Sequence, residues 1–281
     1  MASAEIVLQN GARIPLIRAI PFAAVHLACL AAFFVEFSWW YVILCLTLYY
    51  VGMFFVGAGY HRYFSHRTFK TSRSFQFLLA FMAMTSSQKG VLWWAAHHRH
   101  HHKFSDTEED IHSPSHGGFW WSHVGWILSD RFDQTPSELV SDLYKYPELR
   151  WLNRHFLIPP LTLAVVLFLV GGWGALVWGF FLRTVLLWHG SFTVNSLAHV
   201  FGRRRYQTTD TSKNSFLLAL ITMGEGWHNN HHHYMATVRQ GFFWWEVDST
   251  YYILKVLSWL RIVWDLRQPP RDIVLATETR S

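Results

Sequence analysis

Four nearly unbroken apolar runs punctuate the chain: Ala19–Val35, Ser38–Gly59, Phe156–Gly171 and Trp173–Leu197. Each approaches the roughly 20 residues that a helix needs to cross the hydrocarbon core of a bilayer. The first two are joined by Glu36-Phe37-Ser38 and the last two by Gly171-Gly172-Trp173-Gly174. Links this short cannot recross a membrane, so each pair predicts a helical hairpin. Residues 60–155 and 199–281 are far more polar and contain stretches of helical periodicity. In Tyr251–Leu266, Ile253, Leu254, Leu257, Leu260 and Val263 recur at helix spacing, predicting an ordinary amphipathic cap helix that Pro269-Pro270 ends. Neither an internal repeat nor a β-rich module is visible. The pattern therefore predicts one all-α integral-membrane domain over residues 1–281, with hairpins at about 19–59 and 156–197 and a helical cap from about 60–155 and 199–281.

Charge sets the orientation. Of 24 Lys and Arg, two precede the first run, eleven lie between Tyr60 and His155, and ten follow His199. Neither hairpin tip carries one, and Arg183 is the remaining residue. The positive-inside rule then places the termini and the cap in the cytosol. Only 15% of residues are charged, against about 25% in ordinary soluble domains, as expected of a surface that largely meets lipid. The net charge of +6 suits a membrane surface or phosphate-bearing partners. The basic residues are scattered around apolar spans and form no stripe, which argues against nucleic acid. Cys29 and Cys45 both lie in apolar runs and offer neither a CxxC pair nor a disulfide framework. The first apolar run starts too late, runs too long and lacks a small-residue cleavage site, so it is read as a retained span.

Eighteen histidines are far more than average usage supplies, and they cluster. His61 and His66 follow the second run, His97-His98-Arg99-His100-His101-His102 closes a partly apolar segment, and His199 ends the fourth run. His228 and His231-His232-His233 come soon after. Positions i, i+3 and i+4 share a helix face, as do His98, His101 and His102, and likewise His228, His231 and His232. His97, His100 and His101 fit the same HxxHH spacing, so spacing leaves that register open. Asn195 and His199 are related as i, i+4. His61 and His66 are about 140° apart on an ideal helix, so they straddle a helix end or reach different metals. More than six imidazoles converging on one side of a membrane imply two first-row metal ions. Outside these clusters, His26, His155 and His189 read as packed core residues, and His112, His116 and His123 as supporting or surface residues. Asp106, Glu108, Glu109, Asp110 and Glu225 lie near the clusters as carboxylates able to orient imidazole N–H groups. For the residues from Asp106 to Asp110, a plain solvated loop is the alternative reading.

The stretches GAGYHRYFSHRTF, HRHHHKFSDTEEDIHSP, FWWSHVGW, VNSLAH and GEGWHNNHHHY, in this order over about Gly57–Leu266, resemble the membrane fatty acid desaturases of the acyl-CoA (stearoyl-CoA Δ9) type. The resemblance implies four transmembrane helices carrying a cytosolic cap with a di-iron site, in the bacterial cytoplasmic membrane or the endoplasmic reticulum. It selects the register His98, His101, His102. Carried over residue by residue, it implies nine ligands, His61, His66, His98, His101, His102, His199, His228, His231 and His232, with Asn195 reaching one metal through water. Two iron ions and O2 as co-substrate are its implied cofactors. It also makes Gln88, Trp94 and Ser191 candidates for lining a tunnel that holds a long acyl chain. Tyr49 and Met53 are candidates for the tunnel's far end, with ordinary core packing as the plainer reading.

Removal of two hydrogens from neighbouring methylenes with O2 as oxidant requires two further electrons. The sequence carries no haem or flavin fingerprint, so a separate donor is expected: cytochrome b5, a ferredoxin or a rubredoxin docking on basic cytosolic residues. The implied product is a cis double bond at Δ9, in a chain carried most simply as acyl-CoA, with phospholipid or acyl-carrier protein as other carriers. A lipid hydroxylase would need nearly the same ligands. A metal transporter would place ionisable groups at midplane, whereas here only Arg183, His26 and His189 lie deep. Arg183 is read as structural, and Arg150 and Arg154 as positive anchors beside the third run.

Overall fold

The computed structural model describes residues 5–7, 11 and 13–276. Among these, three continuous helices are long and apolar enough to cross a membrane: Leu16–Phe34, Trp39–Ser65 and Ile158–Val200. Their outward faces are apolar, with Phe34 90% and Val170 84% exposed, as expected of surfaces that meet lipid chains. Ser38 starts the second helix by accepting a hydrogen bond from the Trp40 amide.

The 43-residue helix would extend about 65 Å if straight, twice the roughly 30 Å of a bilayer core. It breaks at Gly171 and Gly172, the latter at φ 62°, ψ −154°, a conformation open to glycine and strained for L side chains. Beyond the break the chain doubles back. A Cβ on Gly179 would lie 3.3 Å from both δ carbons of Leu167, whereas twelve residues of straight helix separate two positions by about 18 Å. The glycine link between the third and fourth apolar runs thus produces two packed arms.

The second helix departs from expectation in another way. It does not end at Gly59 but continues to Ser65, with the wider π geometry from Val56 onward. His61 is therefore inside the helix and His66 is the residue that caps it, so the pair straddles the helix end.

The cap is helical. Arg73–Met84 and Val91–Phe104 pack on the end of the second helix through Leu79, Ala83, Leu92 and Ala96, all fully buried. Pro147–Arg154 lies against them, and Asn153 Oδ1 accepts from the amides of Leu92 and Trp93 at 3.1 and 2.9 Å. It thereby caps the start of the Val91–Phe104 helix from a distant segment. Shorter helices at Phe216–Ile221, His228–His233 and Ser249–Trp259 complete the cap.

Sheet structure is minimal among the described residues: Glu5–Val7 pairs with Arg13–Pro15, and Lys70–Thr71 with Val263–Trp264. The second pairing corrects the helix expected over Tyr251–Leu266. That helix stops at Trp259, Arg261 adopts φ 59°, and Val263 is fully buried in the strand pair. Its apolar spacing continues into an element of a different kind. The chain ends expected in the cytosol, residues 1–4 and 277–281, lie outside the described residues.

Candidate metal centre

Four segments supply the histidines. His61 lies on the π-helical end of the Trp39–Ser65 helix and His66 caps it, the His66 amide donating to the His61 carbonyl at 3.2 Å. This i+5 bond aligns positions that an α-helix would hold about 140° apart, and the two ring centroids are 4.8 Å apart. Arg99 fixes this helix end, donating to the carbonyls of Phe64 and Ser65 at 2.8 and 2.9 Å and to Asp142. His98, His101 and His102 project from one face of Val91–Phe104. His199 comes from the Leu197–Val200 turn, and His228, His231 and His232 from His228–His233.

These nine imidazoles form two groups, His61, His66, His98, His102 and His231, and His101, His199, His228 and His232. Within each, the ligand atoms lie within 4.8 Å of one another. In the first group, Nε2 atoms face each other in sequence: His66 to His98 at 2.9 Å, then His98 to His102, His102 to His231 and His231 to His61, each at 3.0 Å. His199 and His228 face each other at 3.1 Å in the second. A neutral imidazole nitrogen carries a proton or a lone pair, never both. Five nitrogens in a row therefore cannot satisfy all four contacts by hydrogen bonding. Spacings near 3 Å are instead the edges of a coordination polyhedron with metal–nitrogen bonds of about 2.1 Å. In the second group, Nε2 of His101 and of His232 are buried without a partner. Burial holds His66, His98, His102, His228 and His231 well below the usual imidazole range, so they are neutral with free lone pairs. The donor set fits a pair of first-row metal ions.

Carboxylates fix the tautomers. Nδ1 of His101 meets Asp110 at 2.9 Å, of His199 meets Asp106 at 3.1 Å, and of His232 meets Asp210 at 2.6 Å, while His61 is paired with Glu225. An imidazole donating through Nδ1 presents a bare Nε2. Burial raises the pKa of all four acids, but their partners outweigh it. Hydrogen bonds from His199, Ser113 and Thr211 hold Asp106 well below the carboxylate range, as His101 does for Asp110 and His232 for Asp210. His61 and Arg62 hold Glu225 down at about 2. Arg62 is itself buried, bridging Glu225 to Asp248 and to the Val238 carbonyl.

Glu108 and Glu109 are exposed and stand apart from these pairs. Sequence reasoning missed Asp210, although it is the sole carboxylate between His199 and Glu225. His97 turns away from both groups, its Nδ1 on the Trp93 carbonyl at 2.8 Å. His233 stacks on Tyr206 with centroids 4.0 Å apart. Among the supporting histidines, His112 stacks on His101 at 4.2 Å, and His116 is exposed. His155, expected in the core, is instead exposed, its ring 5.1 Å from that of Trp151. His26, His189 and His123 form a hydrogen-bonded line through the helices, at 3.0 and 2.9 Å.

Beside the first group lies a largely apolar cavity of about 540 Å³. His98, Asn195, Gln88, Trp94 and Ser191 all line it. Gln88 donates to Ser191 Oγ at 2.8 Å and accepts from Trp94 Nε1 at 3.3 Å. The backbone carbonyl of Asn195 accepts from Ser122 at 2.6 Å. Along the returning arm, lining residues extend from Asn195 back to Phe180 and Thr184. Tyr49 and Met53 do not line this cavity. They pack against Gly190, where a Cβ would come within 2.5 Å of the Tyr49 hydroxyl and 3.1 Å of Met53 Cε. Both are core residues. Arg183 is buried with no carboxylate partner among the described residues, donating to the carbonyls of Leu48 and Thr85 at 3.0 and 2.9 Å.

An apolar cavity abuts two imidazole groups that could hold metal, on a chain with three helices long and apolar enough to cross a membrane. The chain belongs to the fatty acid desaturase family, whose profile matches residues 37–257. An acyl-CoA 5-desaturase of Anemone leveillei is 38% identical over 248 residues, covering 87% of this chain and 77% of that protein. An sn-1 stearoyl-lipid 9-desaturase of Synechocystis is 37% identical over 258 residues, covering 89% and 79%. A Delta-9 acyl-lipid desaturase of Arabidopsis thaliana is 34% identical over 262 residues, covering 92% and 85%.

Proposed function

We infer that the protein is an O2-dependent fatty acyl desaturase that places a cis double bond, at Δ9, in a long saturated chain. The observation that carries this reading is the opening of the apolar cavity onto His98. Its relatives divide between thioester-bound and lipid-bound forms of the substrate.

The nine histidines named above would hold two iron ions, with Asn195 contributing through water. Bound there, the iron pair with O2 supplies the oxidising power that removes one hydrogen from each of two adjacent methylenes. Asp106, Asp110, Asp210 and Glu225 hold the imidazoles in the ligating tautomer. An alkyl chain has no polar handle near the reacting carbons, so position is set by fit. Trp94, stacked on His98 at 4.9 Å, and the Gln88–Ser191 bond form the wall beside the reacting carbons. The balance is one O2, two electrons and two protons, with the two substrate hydrogens, giving two waters. The electrons come from a separate donor of the cytochrome b5, ferredoxin or rubredoxin kind.

The break at Gly171–Gly172 supports four spans in two hairpins, and the charge distribution supports a cytosolic cap. Fatty-acid analysis of cells expressing the wild type or His98→Ala tests the function. A new cis-monoene lost in the variant is the expected result. A hydroxylated lipid, or no change with folded, iron-loaded protein and candidate donors supplied, would sink the reading.

A further inference from the structure

Each double bond takes two electrons from outside the chain, so some surface must receive their carrier close to the metal groups. One surface combines closeness with charge. His233 directly follows His232 of the second imidazole group, and its ring stacks on Tyr206 with centroids 4.0 Å apart and planes within 3°. His233 Nε2 donates to the Ile273 carbonyl at 3.3 Å, and the Tyr206 hydroxyl donates to the Val274 carbonyl at 2.9 Å. The stack therefore joins the second group to the short Arg271–Leu275 helix, whose Arg271, Asp272 and Leu275 are exposed. Electron tunnelling falls steeply with distance and is carried best by bonded, closely packed atoms, which favours entry here.

Four exposed arginines lie in the two segments that meet at this stack: Arg203 and Arg204 just before Tyr206, and Arg267 and Arg271 in the stretch leading to Ile273. None of them is ion-paired among the described residues, whereas the neighbouring Arg205 is tied to Glu246. Asp272 is the one exposed acid in these segments, which leaves a surplus of three positive charges. His66 and His102, in the first group, are also only partly buried. There, however, Arg67 is paired with Asp142, and Lys103 is followed by the exposed Glu108 and Glu109. An acidic partner is attracted to the first surface and not to the second.

We propose that a small acidic one-electron carrier protein docks on the face made by Arg203–Tyr206 and Arg267–Leu275, and that its electrons enter through His233 beside His232. This rests on the desaturase reading and gives the donor a place on the chain. In each encounter the carrier's redox centre loses one electron and the metal group gains it, with no bond made or broken in the chain. Two encounters supply the electrons for one double bond. Electron-transfer contacts are small, under about 1,200 Å², so a patch of this kind suffices.

The test places the iron-loaded protein in nanodiscs of zwitterionic lipid and titrates it with two acidic probes, a plant-type [2Fe–2S] ferredoxin and the soluble haem domain of a cytochrome b5. Binding of at least one at low ionic strength, weakening as salt is raised, is expected. Arg204→Glu/Arg271→Glu should weaken it about tenfold or more. Lys145→Glu, exposed elsewhere on the cap, should stay within about twofold of wild type. Arg204→Lys and Arg271→Lys keep the charge and add an amine that carbodiimide can join to a carboxylate of the bound carrier, so linked peptides locate the contact. Neither probe binding, or equal binding by wild type and an iron-loaded double variant, overturns the docking face. Should the double variant lose its iron, the cross-links decide alone, and none at 204 or 271 overturns it equally. Monoene formed by the wild type in its host keeps the desaturase reading in each of these cases, and absence of monoene there sinks that reading whatever binds.

Discussion

Asp210 accepts a 2.6 Å hydrogen bond from Nδ1 of His232 across twenty-two residues of sequence. That bond leaves the buried Nε2 of His232 bare, and Nε2 has no other partner. Asp210→Asn keeps the shape but can offer Nδ1 an N–H in place of an acceptor. Loss of such an orienting partner typically lowers metal affinity or activity by about 10–100-fold. Iron content and monoene yield should both fall on that scale. Glu108→Gln and Glu109→Gln, exposed and remote, should stay near wild type. Equal effects at all three positions would show that the carboxylate pairing does not matter.

His97 and His98 are neighbours with opposite roles. His98 Nε2 faces His66 and His102, whereas His97 is anchored to the Trp93 carbonyl. His98→Ala should abolish iron binding at the five-imidazole group and all monoene formation. His97→Ala removes a packed ring and one hydrogen bond, with a stability cost of about 1–3 kcal/mol and no loss of iron per folded molecule. Iron quantitation on purified variants decides the matter. Retention of full iron by His98→Ala would refute the register.

The apolar runs and histidine spacings were legible because they depend on short-range periodicity. Gly171-Gly172 could be read as a link, since only glycine suits the backbone found there. The His61/His66 pair was read as straddling a helix end or reaching different metals; it straddles the end, and what spacing could not show is the π geometry, held by Arg99 from another helix, that brings both rings to one group. Asp210 was missed for a related reason: its partner is brought near by the fold and by no local spacing. Tyr49 and Met53 looked like tunnel residues because an apolar residue in a span can face a cavity or a neighbouring helix with the same pattern. Gly190, which decides between these, is on another segment.

Acid should loosen the protein before its carboxylates titrate. Burial holds His97 and, against its bond to Asp210, His232 at about 4, below the unfolded value of about 6.5. Between those values the unfolded chain binds protons that the native chain does not, so stability rises with pH through the window. Going from pH 7.5 to 5 should lower the melting temperature of metal-free protein continuously, with His97 alone costing about 3 kcal/mol by the bottom of the window. Glu225, depressed to about 2, acts lower: its contribution is present above about pH 4.3 and lost as pH falls towards 2. His97→Gln should flatten the slope above pH 5. A melting temperature constant from pH 7.5 to 5 would contradict the buried neutral imidazoles.

Chain-length preference should respond to the returning arm and not to the second helix. Thr184, on the returning arm, lines the cavity and is buried, so Thr184→Trp should shift the monoenes formed towards shorter chains by several carbons. Met53, 1% exposed and outside the cavity, should leave the preference unchanged when replaced by Ala. Its cost should be about 2–5 kcal/mol of stability. Product profiles for the two variants provide the comparison, and a profile lengthened by Met53→Ala, with none of the shortening by Thr184→Trp, would reverse the assignment.

Arg183 and Gly52 form a second deep relationship, this one purely architectural. The guanidinium ties the Leu48 carbonyl of the second helix to the Thr85 carbonyl that follows Arg73–Met84. It fits because Gly52 has no side chain: a Cβ there would lie 2.1 Å from Arg183 Nη2 and 2.9 Å from Leu187 Cδ2. Gly52→Ala must push a buried charge off its two acceptors. Uncompensated burial of a charge is among the few effects that cost about 3–5 kcal/mol. Arg183→Lys retains charge but not the fork that reaches both carbonyls, so it should rescue little. Arg183→Met, which removes the charge and keeps the bulk, should be tolerated better than Gly52→Ala. Thermal unfolding in detergent would rank the three. If Gly52→Ala melts with the wild type, the close fit between these two residues does not support the fold.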